Sequence, residues 1–81
     1  MTSPSLDDQE LLDHIARMRD KVANEIQSLN RRIPQYRADF EEDRYPETLT
    51  MAQRLEERLA ERKVDFEALT QMMRLVESQI P

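Results

Sequence analysis

The fold is decided by residues 45–81, which read YPETLTMAQRLEERLAERKVDFEALTQMMRLVESQIP. In this stretch every seventh residue from Tyr45 is apolar, and most members of a second set, offset by three positions, are apolar too. The two sets are Tyr45, Ala52, Leu59, Phe66, Met73 and Ile80, and Thr48, Leu55, Arg62, Leu69 and Val76. Such a heptad, with apolar a and d positions, is typical of a helix that packs along its length against another helix.

The first half of the chain carries a similar stripe with a slightly longer period. Its apolar residues recur about every 3.6 residues, which is the period of a straight helix. They are Leu11, Ile15, Met18, Val22, Ile26, Leu29, Ile33, Tyr36 and Phe40. Pro34 falls inside this stripe, where a proline removes a hydrogen bond and clashes with the preceding turn, yet the stripe continues in phase beyond it. We therefore expect one helix with a kink near Pro34, with a break into two helices as the alternative.

A short polar segment, which ends at Pro46, separates the two stripes. Proline is favoured in the first turn of a helix, and Ser5 is a suitable N-cap for the first one. The expected segments are a disordered tail at 1–4, helix 1 at about 5–41, a connection at 41–46 and helix 2 at about 46–80. Two long amphipathic helices with a short connection form an antiparallel hairpin. The predicted fold is therefore all-α, a coiled-coil-like two-helix hairpin that forms a single domain over 5–81.

Apolar and charged residues agree on one register for this hairpin. Leu59 is then opposite Leu29, and Leu55 is opposite Ile33. The predicted charge pairs are Arg31 with Glu57, Arg32 with Glu56 and Lys21 with Glu67. Two independent patterns that give the same offset support the hairpin more strongly than either one alone.

Arg62 is the only charged residue in the heptad seam, and the same register places Glu25 level with it. One hypothesis is a buried pair of Glu25 and Arg62 that fixes the register or the choice of partner. The alternative is that Arg62 extends its charged head to solvent while its stem packs in the seam.

Composition limits the kinds of function. The 81 residues include 12 basic and 17 acidic side chains, which gives a net charge of −5. Phosphate backbones and anionic lipids repel an acidic chain, so we expect neither nucleic acid nor membrane as a partner. The sequence has no cysteine and no glycine, and its single histidine, His14, lacks partners at metal-ligand spacing. We therefore expect a non-enzymatic protein with no catalytic residues, no cofactor, no metal and no small-molecule substrate.

The N-terminal sequence MTSPSLDDQE contains neither the basic region nor the apolar region of a signal peptide. No run of the sequence approaches the roughly 18 consecutive apolar residues that a membrane span needs. These two features predict a cytoplasmic protein.

Two surfaces are candidates for contact with another protein. The first lies at the C-terminal turns, where apolar residues extend beyond the seam. Its hypothetical interface residues are Leu12, Met72, Leu75, Val76 and Ile80. One helix cannot cover so wide an apolar face, and methionines suit adaptable interfaces; the alternative is a locally thickened core. The second candidate is an acidic tip of the hairpin, which either binds a basic partner or is simply solvated. Its residues are Asp39, Glu41, Glu42 and Asp43.

These features predict a small acidic interaction module that acts through helix–helix packing as an adaptor, a chaperone-like protein or an inhibitor. Because each helix of a thin hairpin buries only one face, we expect pairing into a four-helix bundle, either as a homodimer or with a protein partner. The alternatives are a self-assembling structural subunit, for example of a secretion apparatus, and a phage-type inhibitor of a host protein.

Two sequence features resemble components of type III secretion systems. Pro46-Glu47 at the start of the second helix, after a long first helix, resembles the small co-chaperones of the secretion needles. The spacing of Pro46 and Gln53 and the final Ile80-Pro81 are similar to some needle subunits. The glycine and tryptophan residues common in needle subunits are missing from this chain.

Overall fold

The computed structural model describes residues 6–80 and contains two helices, α1 (Leu6–Asp43) and α2 (Pro46–Gln79). The helices pack against each other as an antiparallel hairpin, and the described residues contain no strand. The all-α hairpin predicted from the two stripes is therefore confirmed. The predicted tail at 1–4 and the predicted N-cap Ser5 lie outside the described residues.

Helix α1 runs without interruption for 38 residues and passes through Pro34. The proline is exposed, whereas Ile33 beside it is buried in the seam. Proline leaves the carbonyl group of Asn30 without its helical donor, and Asn30 is also on the exposed side, where water can replace that donor. The first stripe thus forms one helix, and the alternative of a break at Pro34 is wrong.

The connection between the helices comprises only residues 44–45, so the predicted connection at 41–46 was too long. Arg44 adopts a left-handed conformation with φ of 60°, and its amide donates to the carbonyl oxygen of Phe40 at 2.8 Å. This bond is the αL form of a helix C-cap, a position that glycine usually occupies because a Cβ atom is unfavourable there. Since the cap satisfies a terminal carbonyl group directly, α1 continues beyond the expected end at 41 to Asp43.

Asp43 holds the start of α2. Its carboxylate accepts a hydrogen bond from the amide of Tyr45 at 2.9 Å and one from the hydroxyl group of Thr48 at 3.5 Å. Tyr45 is the N-cap residue in an extended conformation, and its own side chain makes no capping hydrogen bond. Pro46 follows at the beginning of α2, as predicted, where a residue without an N–H leaves no helical hydrogen bond unmade.

The core lies along the seam between the helices. Its buried residues are Ile15, Leu29, Ile33, Ala52, Leu55 and Leu69. Leu29, Ile33 and Leu55 form one cluster, and the half-buried Tyr36 and Leu59 pack against it. This cluster confirms the register in which Leu59 lies opposite Leu29 and Leu55 lies opposite Ile33. Each fully buried aliphatic side chain contributes about 1.5–3 kcal/mol.

The ion pairs between the helices differ from those predicted. Arg37, rather than Arg32, binds Glu56, and Arg58 binds Glu25. None of the three predicted pairs, which involved Arg31, Arg32 and Lys21, is an ion pair in the structure. An arginine side chain is long enough to reach a carboxylate about one turn away along the neighbouring helix, so a correct register does not determine which charges meet.

Candidate functional site

The hairpin has two broad sides, one on each side of the plane that contains both helices, and they expose different residues. Among the described residues, the exposed large apolar side chains are Leu11, Met18, Tyr45, Met51, Val64, Met72 and Leu75. All of these except Tyr45 and Val64 lie on one broad side. We call this side the methionine flank and define it by Leu11, Met18, Met51, Met72 and Leu75.

A shallow groove between the helices establishes which residues share the methionine flank. It is lined by Met18 and Val22 from α1 and by Arg62, Asp65, Ala68 and Leu69 from α2. Met72 follows Ala68 by four residues and Leu75 follows it by seven, so both extend the same face of α2 toward the open end of the hairpin. The groove and the apolar residues beyond it therefore form one continuous surface.

Heptad spacing extends this surface toward both ends of the hairpin. Met51 precedes Asp65 by two heptads and so occupies the same position on α2 near the connection. Leu11 precedes Met18 by one heptad on α1. Between these ends, the ion pair of Arg58 and Glu25 links the two helices on the same side, because Arg58 precedes Asp65 by seven residues.

The opposite side, which we call the Phe66 flank, covers its largest apolar group with its own side chains. The guanidinium group of Arg19 lies over the Phe66 ring, 5.1 Å from the ring centroid, and donates to the sulfur atom of Met73 at 3.5 Å. Arg37 and Glu56 form the ion pair between the helices on this side. A cation over an aromatic face contributes about 0.5–1 kcal/mol at exposed sites, and the arginine stem shields the ring from water.

Arg62 is the charged residue at the centre of the methionine flank. Its terminal nitrogen forms an ion pair with a carboxylate oxygen of Asp65, one turn further on, at 3.0 Å, while its Nε atom is buried without a hydrogen-bond partner among the described residues. Glu25, the predicted partner of Arg62, binds Arg58 instead. With its side chain 30% exposed and its Nε atom buried, Arg62 packs in the seam and directs a terminal nitrogen to Asp65 rather than to Glu25.

The structure divides the interface that the sequence predicted at the C-terminal turns. Met72 and Leu75 are exposed by 46% and 63% and belong to the methionine flank. Leu12, Val76 and Ile80 are half-buried and lie closer to the seam at the open end. Only part of the predicted patch therefore presents large apolar groups to solvent.

The exposure of Leu11, Met18 and Met51 was not predicted from the sequence. Leu11 and Met18 belong to the first apolar stripe and were expected in the seam, because a mean period of about 3.6 residues does not separate the seam from its edge. A signal for Met51 was present, since Met51 and Met72 are 21 residues apart and thus occupy the same heptad position.

The predicted acidic tip is largely engaged in local contacts. Asp39 accepts a hydrogen bond from a glutamine one turn earlier at 3.1 Å, and Glu41 pairs with Arg44 at 3.5 Å. Asp43 holds the start of α2, as described above. Glu42 is exposed. Three of the four acidic side chains thus contribute to the structure of the tip itself.

No group of histidine, aspartate and glutamate side chains within residues 6–80 is arranged to hold a metal ion. Neither α1 nor α2 is long and apolar enough to cross a membrane. Comparisons of the chain with protein-family models, with curated proteins and with solved structures find no match. The candidate site is therefore defined by the surface of the hairpin alone.

Proposed function

We propose that this protein is a small acidic, non-enzymatic interaction module that acts by packing its methionine flank against the helices of another protein molecule. The observation that carries the proposal is that five of the seven large apolar side chains exposed within the described part of the chain lie on one side of the hairpin. Single exposed apolar residues are ordinary on protein surfaces, whereas a row of them on one side is typical of an interface.

The composition and length of the flank support a helical partner. Three of its five members, Met18, Met51 and Met72, are methionines, whose unbranched and polarisable side chains adapt to the shape of a partner. From Met51 to Leu75 the row on α2 covers 25 residues, and its ends lie about 36 Å apart at the helical rise. A row of that length matches one face of a long helix or of a second helical hairpin.

The same helix–helix contact would serve an adaptor, a chaperone-like protein or an inhibitor. A phage-type inhibitor of a host protein is one example of the inhibitor role. We place the module in the cytoplasm. The cysteine-free sequence supports this location, because small secreted domains commonly depend on disulfides.

The proposal is tested by Leu75→Glu with Val64→Glu as its matched control. Both residues lie on α2 and are similarly exposed, at 63% and 67%, but Val64 faces away from α1 and lies off the methionine flank. A new carboxylate should leave either hairpin folded, because neither position is buried. Leu75→Glu should abolish association, whereas Val64→Glu should preserve it.

Association is measured by sedimentation velocity, first for the purified chain and then for its complex with a partner that is captured from the source cell and identified by mass spectrometry. Circular dichroism monitors the helix content of each variant. If both variants associate as the unmodified chain does, or if both lose association equally, the methionine flank is not the interface.

A self-assembling structural subunit is the second candidate function. Tyr45 and Val64 are exposed by 64% and 67% outside the methionine flank, and an open polymer requires a second surface that differs from the first. Sedimentation over a range of concentrations separates the two functions. Long polymers that Val64→Glu shortens would favour the subunit, and a discrete dimer or heterocomplex would favour the module.

A further inference from the structure

Arg62 and Asp65 form a partly buried ion pair at the centre of the methionine flank. The Nε atom of Arg62 is buried and has no hydrogen-bond partner among the described residues, whereas a terminal nitrogen pairs with Asp65 at 3.0 Å. A second molecule cannot reach that buried Nε atom, but a guanidinium group carries five donors in a fixed geometry, and the Arg62 side chain is 30% exposed. The Asp65 side chain is 47% exposed, so part of its accepting capacity faces outward. A partner that fits this point offers an acceptor to Arg62 and a donor to Asp65.

A second copy of the same chain offers both groups at once. In a twofold dimer every contact is made twice, so an axis between Arg62 and Asp65 places each arginine beside the aspartate of the other copy. Hydrogen bonds between two charged groups are stronger than those between neutral ones. Arg62 and Asp65 of one copy are thus complementary to Asp65 and Arg62 of the other.

The apolar residues of α2 are spaced about the same point. Met51 lies 11 residues before Arg62, and Leu75 lies 10 residues after Asp65. When two copies of α2 run antiparallel about this axis, Met51 of each copy comes within one residue of the level of Leu75 in the other, about 18 Å from the axis. Charge and apolar spacing therefore agree on one offset.

With the axis at this position, the two hairpins overlap along nearly the whole length of their helices. Helix α2 spans Pro46–Gln79, and its midpoint lies next to Arg62. Two hairpins placed antiparallel about this point meet along about 50 Å of helix and across two helix diameters, or about 20 Å. The resulting footprint of roughly 1,000 Å² exceeds the roughly 800 Å² that each partner contributes to a stable interface of standard size.

We infer that a second copy of this chain covers the methionine flank, antiparallel to the first, with a twofold axis between Arg62 and Asp65. The two hairpins then form a four-helix bundle, in which Met51 of one copy packs near Leu75 of the other. This inference rests on the proposed function and names the partner of its surface.

A charge-exchange experiment tests both the partner and the axis. Arg62→Asp alone and Asp65→Arg alone each place like charges opposite one another in the dimer, so each variant should dimerise about a hundredfold more weakly than the unmodified chain. An equimolar mixture of the two variants should restore the dimer, because each new charge then faces its opposite. Sedimentation equilibrium measures the association, and circular dichroism checks that each variant keeps its helix content.

Thiol cross-linking supplies a second measurement that does not depend on charge. The chain has no cysteine, so Met51→Cys and Leu75→Cys introduce single defined thiols. A mixture of these two variants should yield a covalent dimer with a short thiol-reactive cross-linker. Neither variant alone should do so, because equivalent positions in the two copies lie about 36 Å apart.

The inference is overturned if the unmodified chain stays monomeric at high micromolar concentration, if both single charge variants dimerise like the unmodified chain, or if their mixture stays monomeric. The unmodified chain could instead stay monomeric and form a complex with a different protein. If Leu75→Glu loses that complex and Val64→Glu keeps it, the homodimer is refuted and the proposed function is retained. If Val64→Glu abolishes self-association and Leu75→Glu leaves it intact, both the homodimer and the proposed role of the methionine flank are refuted.

Discussion

The methionine flank and the Phe66 flank are built from the same two helices, yet they differ in how their largest apolar side chains are covered. On the Phe66 flank, Arg19 crosses the seam and lies over the aromatic ring. On the methionine flank, Arg62 turns toward Asp65 of its own helix, and the neighbouring methionines stay exposed. A heptad thus defines the seam, whereas the long side chains beside it determine how much of the apolar surface on each side is exposed.

The largest effect is expected in the seam that both flanks share. Leu55 is 7% exposed and belongs to the cluster with Leu29 and Ile33, so Leu55→Glu buries an unpaired carboxylate. Such a change costs several kcal/mol, about as much as a core this small can provide. Far-ultraviolet circular dichroism should show loss of most helix. Leu75→Glu, on the exposed flank, is the control and should keep its helix content; equal loss in both variants would place Leu75 in the core.

The second prediction compares one substitution on each flank by its effects on stability and on association. Phe66→Ala removes the ring beneath Arg19 and should lower the free energy of unfolding by about 2–3 kcal/mol, because the ring is half-buried. Met72→Ala, on the other side of the same helix, should cost less than about 1 kcal/mol in the dissociated chain and should instead weaken association. Urea unfolding at low protein concentration and sedimentation at high concentration separate the two effects. The reverse pattern would mean that the two flanks have been assigned the wrong roles.

Much of the fold could be predicted from sequence because backbone geometry sets the spacing of side chains that share a helix face. The positions of Leu55, Leu59 and Ile33 in the seam follow from that spacing, and so does the start of α2 at Pro46. The end of α1 could not be predicted in the same way. It depends on the left-handed conformation of Arg44, which a residue other than glycine adopts only where its surroundings compensate for the strain.

The candidate site was harder to predict than the fold. Whether Met18 lies in the seam or on its edge depends on how the two helices cross, and one stripe does not contain that information. The pairing of Glu25 with Arg58 rather than Arg62 depends on side chains with several rotatable bonds, each within reach of more than one carboxylate. The exposure of Leu75 could be predicted, because its heptad position lies well away from the seam.

The third prediction concerns a substitution at the connection that should make the hairpin more stable without altering either flank. Arg44→Gly relieves the left-handed strain at the connection and should raise the free energy of unfolding by about 0.5–1 kcal/mol. The contacts that it removes are an exposed ion pair with Glu41 and a cation–π contact of the exposed Arg44 with the half-buried Phe40 ring, and both contribute little. Urea denaturation measures the change, and Arg44→Asn should give a smaller gain. A loss of stability in the glycine variant would show that those contacts outweigh the strain.

The smallest effect compares the two ion pairs that bridge the helices, one on each flank. Arg37 and Glu56 are 50% and 40% exposed, and Arg58 and Glu25 are 58% and 30% exposed. Because pairs at such exposure contribute only about 0–1 kcal/mol, Glu56→Gln and Glu25→Gln should have similarly small effects on thermal unfolding at low protein concentration.

At high protein concentration the two variants should diverge. If a second copy covers the methionine flank, Arg58 loses much of its water, and Glu25→Gln then leaves a partly desolvated charge without its partner. Glu56 lies on the Phe66 flank, which stays in water, so the effect of Glu56→Gln should not change with concentration. The melting temperature of Glu25→Gln should therefore fall further below that of the unmodified chain as concentration rises, while the difference for Glu56→Gln stays constant. A constant difference for both variants would mean that the methionine flank remains in water at every concentration tested.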